Sequence, residues 1–263
     1  MGILNVTPDS FADATPVTDT ARAIDAALLL EADGADLIDV GGESTRPGAE
    51  TLPMEAELAR VLPVIRGVAG RLRIPLSIDT CKADVARAAL DAGASLVNDV
   101  SGLRREPALA QVVAERGAAL VLMHSRGTPK TMADEAEYED VVTDIVTELA
   151  ASIRVAEAAN VPGDRIIVDP GIGFAKRPAH SYGVLPRLDE IAAALGRPLL
   201  VGPSRKSFMR AALNDRPAAE RDWGTAAAVT AAVLAGAHIV RVHAVAEMVQ
   251  VVRVAEEIRR HGQ

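Results

Sequence analysis

Aromatic side chains are scarce in this chain: three Phe, two Tyr and one Trp among 263 residues. A base-stacking surface needs more rings than that, which argues against a single-stranded nucleic-acid binder. The formal net charge of -8 also leaves no general basic excess for a nucleic-acid partner. A small anionic substrate stays compatible, because a local Arg and Lys cluster can oppose the global field. The single cysteine, Cys81, excludes an intrachain disulfide and a Cys-built zinc cage. It follows an apolar run and is expected to be a core thiol rather than a nucleophile. No apolar stretch nears the roughly 20 residues of a membrane span, and no basic-plus-apolar leader is present. A cytoplasmic enzyme is the expectation. What remains is aliphatic: hydrophobic residues make up 49% and charged residues 24%, a balance that suits a globular fold with a large core.

Eight short apolar runs recur, at 2–6, 37–40, 75–79, 95–98, 119–124, 165–169, 198–202 and 238–243. Helical spacing fills the gaps, at 19–32, 54–71, 83–92, 107–116, a long segment ending near 160, 180–195, 223–235 and 245–260. Near-continuous apolar strands alternating with amphipathic helices predict a parallel sheet covered on its faces. Eight such units favour a single (β/α)8 TIM barrel over 1–263, with an open doubly wound α/β sheet as the runner-up. Nearly every run ends in a polar residue: Asn5, Asp39, Asp79, Asn98, His124, Asp169, Ser204 and His243. A parallel barrel gathers the C-terminal ends of its strands on one rim, where its active site lies. The stretches 9–18 and 42–53 are expected as loops over that mouth.

Three segments carry charge suited to chemistry. Residues 41–48, Gly-Gly-Glu-Ser-Thr-Arg-Pro-Gly, combine tight turning, hydroxyl donors and the rigid fork of Arg46, without a Walker loop or a dinucleotide glycine pattern. Ser204, Arg205, Lys206 and Ser207 follow strand seven, where barrels often hold phosphate. Lys206 is open to neutralising an anion, forming a Schiff base or bonding a substrate carbonyl. Arg241 and His243 alternate onto one side of strand eight, and burying them is expensive without an anionic ligand. Asp79, Asn98 and Asp169 form an acceptor-rich floor suited to a heterocycle with several N–H donors. Asn5 is the candidate contact for a Mg²⁺ held mainly by substrate oxygens and water. Phe174 beside strand six and Phe11 on the first loop suggest a flat apolar substrate partner.

In order along almost the whole chain, these motifs resemble the dihydropteroate synthase family of pterin-binding enzymes. The landmarks are Asn5 within Ile-Leu-Asn-Val-Thr-Pro-Asp-Ser-Phe, the 39–48 segment, Ile78-Asp79-Thr80, Asn98-Asp99-Val100-Ser101-Gly102 and Leu122-Met123-His124. Asp169-Pro170-Gly171-Ile172-Gly173-Phe174, Ser204-Arg205-Lys206-Ser207 and Arg241-Val242-His243 complete them. The resemblance implies that Asp79, Asn98, Met123, Asp169, Lys206 and Arg241 hold the pterin. Asp79, Asp169, Lys206 and Arg241 are the implied catalytic set. Asn5, Thr45, Arg46, Arg241 and His243 are the implied diphosphate contacts, with Mg²⁺ as cofactor and Asn5 as its protein ligand. Phe11, Pro47, Phe174, Gly202 and Ser207 are the implied walls of a p-aminobenzoate pocket that sulfonamides would share. The implied partners are the two small-molecule substrates and a second copy of the chain in a homodimer, without nucleic acid or membrane. Ala12, Ala14, Thr15, Ser125 and Ala244 depart from the family's usual residues but remove none of these contacts. A folate-dependent methyltransferase barrel and an inactive pterin-binding regulator are the alternatives.

Overall fold

The computed structural model describes residues 1–6, 16–45 and 48–262. Among them, parallel strands β1 (Gly2–Asn5), β2 (Ile38–Gly41), β3 (Leu76–Asp79), β4 (Leu96–Asp99), β5 (Ala119–Met123) and β6 (Ile166–Asp169) pair in sequence order. Two shorter strands, β7 (Leu200–Val201) and β8 (Ile239–Val240), pair with each other. Single parallel bridges join the two groups, Val168 with Leu199 and Gly2 with Val242. The second bridge is tied by Ile3 N–H to Val242 O and Val242 N–H to Met1 O, both 3.0 Å. The eight strands thus form a closed ring, the expected (β/α)8 barrel.

Helices follow the strands on the outside: α1 (Pro16–Ala32), α2 (Met54–Val68), α3 (Ala83–Asp91), α4 (Leu109–Arg116), α5 (Val141–Ala158), α6 (Pro178–Val184), α7 (Leu188–Leu195), α8 (Asp222–Leu234) and α9 (Val245–His261). None is long and apolar enough to cross a membrane among the described residues. The helix predicted over 180–195 divides into α6 and α7 around a 3-10 turn at Leu185–Arg187. Pro186 explains the break, since it has no N–H for the helical ladder. Strands seven and eight are also shorter than expected, and 203–221 is a run of irregular and 3-10 turns.

Strand alternation decides what faces the barrel axis. Ile38, Val40, Ile78, Val97, Leu120, Leu122, Ile166 and Val168 point outward into the helix-facing core with Val61, Ile65, Leu149 and Ile191. Leu96, Val121 and Leu200, with Ile167 and Ile239 against them, form a separate inner cluster that fills the axis. Burying each such side chain contributes about 1.5–3 kcal/mol. The inner cluster makes the barrel a solid pedestal, and the inward residues one step further along the strands become polar.

Candidate active site

Four polar side chains meet at that level. Arg241, just beyond β8, donates from Nε to Asp39 Oδ2 at 2.7 Å and from Nη2 to Asp79 Oδ2 at 3.0 Å. Asn98 Nδ2 donates to the same Asp39 oxygen at 2.9 Å. Asp39 is fully buried, and both its Oδ1 and Asn98 Oδ1 lack a hydrogen-bond partner. An unpartnered buried acceptor costs about 1–3 kcal/mol, so two in one place favour a ligand that brings donors. Burial pushes the Asp79 carboxyl up to about 8, helped by the neighbouring Asp39 charge and opposed by Arg241. Gly41 keeps room above Asp39: a Cβ there would lie 3.5 Å from Asp79 Cβ and 3.7 Å from Asn5 Oδ1.

Asp169 closes β6 and is buried beside Met123, its register partner on β5. Its Oδ1 accepts the Gly171 N–H at 2.7 Å. Desolvation raises its carboxyl above the usual range, with the Lys206 charge pulling the other way. Lys206 donates from Nζ to Ile172 O and sits 4.5 Å from the Phe174 ring centroid. Loss of water around the ammonium lowers it to about 8, against the attraction of Asp169. Gly202 lies below both cations, a Cβ there being 3.7 Å from Arg241 Cβ and 3.9 Å from Lys206 Nζ. His243 Nδ1 is 2.9 Å from Ser204 Oγ, which also accepts the His243 N–H at 3.2 Å.

Arg205 shows how local backbone sets this rim. It adopts a left-handed φ of 59°, a conformation that costs a non-glycine residue about 1 kcal/mol or more. Thr225 Oγ1 accepts its N–H at 3.0 Å, and Arg221 Nη1 donates to its carbonyl at 3.0 Å. Its guanidinium makes two 2.7 Å bonds to Asp222 instead of facing the mouth. The expected phosphate-type cluster therefore divides, with Arg205 structural and Lys206 beside Asp169.

The expected Asp79, Asn98, Met123, Asp169, Lys206, Arg241 and Gly202 are thus drawn around one mouth, with Asn5 near Asp79. His243 joins Ser204, Ser207 is exposed at the start of a 3-10 turn (Ser207–Met209), and Thr45 and Phe174 are half-buried. Thr45 and Phe174 border a small side hollow with Val100, Arg105, Ser125 and Met132. Phe11, Arg46 and Pro47 lie outside the described residues. Two readings are corrected. Partly buried Arg241 does not require an anionic ligand, because Asp39 and Asp79 already accept its N–H groups. His124 does not join the rim: its Nδ1 lies 2.8 Å from Lys176 Nζ, and its Nε2 faces Glu148 at 3.1 Å. The expectation for Cys81 stands, a buried thiol raised by desolvation and by Asp99.

Sequence reasoning named Asp39 as a strand end but did not place it among the contacts. Its alternation with Gly41 on β2 carried the missing signal. Lys176 was not singled out at all, because no periodicity marks a loop lysine as buried.

A family model described as pterin binding enzyme matches residues 1–243. A dihydropteroate synthase of Synechocystis is 46% identical over 99% of this chain and 90% of its own length. A dihydropteroate synthase structure from Clostridium difficile, obtained with pteroic acid, superposes with a TM-score of 0.92 at 41% identity, covering 98% of this chain and 95% of that one. One from Xanthomonas albilineans with 4-aminobenzoic acid gives a TM-score of 0.91 at 40% identity, covering 98% and 92%. The ring of strands, its polar mouth and these full-length likenesses together make the chain a member of the dihydropteroate synthase family of pterin-binding enzymes.

Proposed function

We infer that this chain condenses 6-hydroxymethyl-7,8-dihydropterin diphosphate with p-aminobenzoate, giving 7,8-dihydropteroate and diphosphate. The observation that carries this reading is the pair of unpartnered buried acceptors, Asp39 Oδ1 and Asn98 Oδ1, beside Asp79 and Asp169. A pterin offers N–H donors along one edge, and such a floor bonds them where water is excluded. Related structures with pteroic acid and with 4-aminobenzoic acid support the same substrate pair.

The chemistry follows from the charges. The amine of p-aminobenzoate is neutral at pH 7, so attack needs no strong base, and breaking the C–O bond is the hard step. Arg241, His243, Thr45 and Arg46 would gather at the departing diphosphate, supplying preorganised donors where negative charge develops. Asp79 and Asp169 would border the dihydropterin ring, and a carboxylate ionised there would favour the positive charge left on its methylene. Bond breaking therefore runs ahead of bond making, in a dissociative displacement. Lys206 would hold the pterin carbonyl side, and Phe174, Gly202 and Ser207, with Phe11 and Pro47, would enclose p-aminobenzoate.

For Mg²⁺ the donor set is narrow. No group of three His, Cys, Asp or Glu among the described residues converges as a metal cage. The amide oxygen of Asn5, beside the open face of Gly41, fits a cation that arrives with the diphosphate and keeps most of its water. When bound, the ion would supply charge neutralisation on the leaving oxygens. The test is direct: purified chain, pterin diphosphate, p-aminobenzoate and Mg²⁺ are incubated, and dihydropteroate and diphosphate are measured. Diphosphate release that does not depend on p-aminobenzoate, with no dihydropteroate formed, would overturn the reading.

A further inference from the structure

The loop from β6 to α6 is held by bonds from outside itself. Three of its residues are left-handed, Gly171 at φ 68°, Gly173 at 79° and Ala175 at 45°, a geometry that persists only where its surroundings fix it. Lys206 Nζ donates to Ile172 O, Gly173 N–H donates to Ser181 Oγ at 3.2 Å, and Tyr138 OH donates to Ala175 O at 2.7 Å. Between these anchors, the carbonyl of Phe174 accepts from Lys176 Nζ at 3.1 Å. Lys176 is buried, and its other partner is His124 Nδ1 at 2.8 Å.

The direction of that second bond can be deduced. Glu148 is held down to about 2 despite its partial burial, by the nearby His124 ring and by the two bonds from Arg126, so it is ionised at pH 7. His124 is lowered to about 4 by burial and by the Lys176 charge, so its ring is neutral and carries one proton. Nε2 lies 3.1 Å from Glu148 Oε2, and that charge draws the proton there even though the N–H is not aligned for a hydrogen bond. Nδ1 is then a lone pair, and Lys176 is the donor to it.

We propose that Lys176 is a positioning residue for the amine substrate, its N–H groups bridging His124 Nδ1 and the Phe174 carbonyl to fix the ring that walls the p-aminobenzoate pocket. This rests on the function inferred above. Asp169 lies upstream of the bridge and is held in place by the β5–β6 ladder and the Gly171 N–H, while the Lys176 charge acts on its carboxyl without touching it. The two substrates should therefore respond differently when the bridge is cut.

The experiment compares Lys176→Met, His124→Phe and His124→Asn with the unaltered chain. The amide oxygen of asparagine restores an acceptor near the Nδ1 position. KM for p-aminobenzoate is read in the condensation assay, and affinity for the pterin diphosphate by calorimetry. The expected result is an increase of about tenfold or more in the p-aminobenzoate KM for Lys176→Met and His124→Phe. Pterin diphosphate affinity should stay within about twofold, and His124→Asn should lie close to the unaltered chain. Should Lys176→Met not fold, the His124 pair carries the comparison, since Lys176 is retained in both. An unchanged p-aminobenzoate KM, a parallel loss for both substrates, or His124→Asn no better than His124→Phe would each overturn the proposal. An unaltered chain that forms no dihydropteroate would instead overturn the functional reading itself.

Discussion

The mouth of the barrel divides into two arcs of opposite chemistry. Its acceptors, Asp39, Asp79, Asn98 and Asp169, stand on the six-strand arc, inside ladders whose register is continuous from β1 to β6. Its cations, Lys206 and Arg241, stand beyond β7 and β8, whose regular pairing covers only two residues each. A short carboxylate on a paired strand has little freedom, so the acceptor pattern is set before a ligand arrives. The long Lys206 side chain, on irregular backbone beyond β7, can follow a ligand as its charge moves, whereas Arg241 keeps a ladder bond to Val201 O at 3.0 Å and two carboxyl partners. The first arc suits recognition of a fixed heterocycle, and the second suits a leaving anion whose charge grows during reaction.

The largest effect should come from removing the carboxylate shared between the arcs. Asp39→Ala leaves Arg241 with one of its two partners and strips Asn98 Nδ2 of its acceptor. Breaking a buried pair in this way costs about 3–5 kcal/mol, read as a lower urea midpoint with an unchanged slope. A loss below about 1 kcal/mol would show that the arcs do not depend on each other for stability.

Next is recognition alone. Asp169→Asn keeps the shape of the floor but removes a charge that strengthens hydrogen bonds by about 1.5–3 kcal/mol. Pterin diphosphate affinity should fall about 10- to 100-fold by calorimetry, and turnover with it. Wild-type affinity and turnover together would remove Asp169 from the acceptor floor.

The cationic arc should show itself through pH. Lys206 is lowered to about 8, so its ammonium is present below that pH and disappears as pH rises through it. If the charged form binds, kcat/KM should decline above pH 8, approaching tenfold per unit. Lys206→Arg should move that decline to higher pH, because a guanidinium stays charged. A profile that is flat to pH 10 in the unaltered chain would assign Lys206 a role independent of charge.

The smallest change separates Lys206 from its neighbour. Arg205→Lys exchanges a two-pronged contact with Asp222 for a single one at a partly exposed site. It should cost about 0.5–1 kcal/mol of stability and leave kcat/KM within twofold. A large loss of activity would return Arg205 to the working part of the mouth.

The barrel was legible because its strands are apolar runs of repeating length with polar ends; Asp79, Asn98 and Asp169 could be placed from their strand-end positions, and Arg241 from its alternation with His243. Asp39 required one more step, since its importance depends on the neighbour that Gly41 leaves uncovered. Lys176, Glu148 and Tyr138 were not legible, because they meet from a loop, a helix and a connecting segment with no common spacing. His124 looked like a rim residue by position, and only the packing of α5 against β5 turned it toward Glu148. Pro186 carried a plain signal for the α6–α7 break that the Ala and Leu spacing around it concealed.

Gly171 has a consequence for how this molecule can change. A methyl group at that position would fall 1.8 Å from the carbonyl oxygen of His124, in a backbone conformation at φ 68° that already excludes most side chains. No rotamer relieves such an overlap, because the obstacle is main chain on the adjoining segment. Any replacement there would have to shift two neighbouring stretches of polypeptide at once, so this corner of the pocket is closed to stepwise drift by single substitutions.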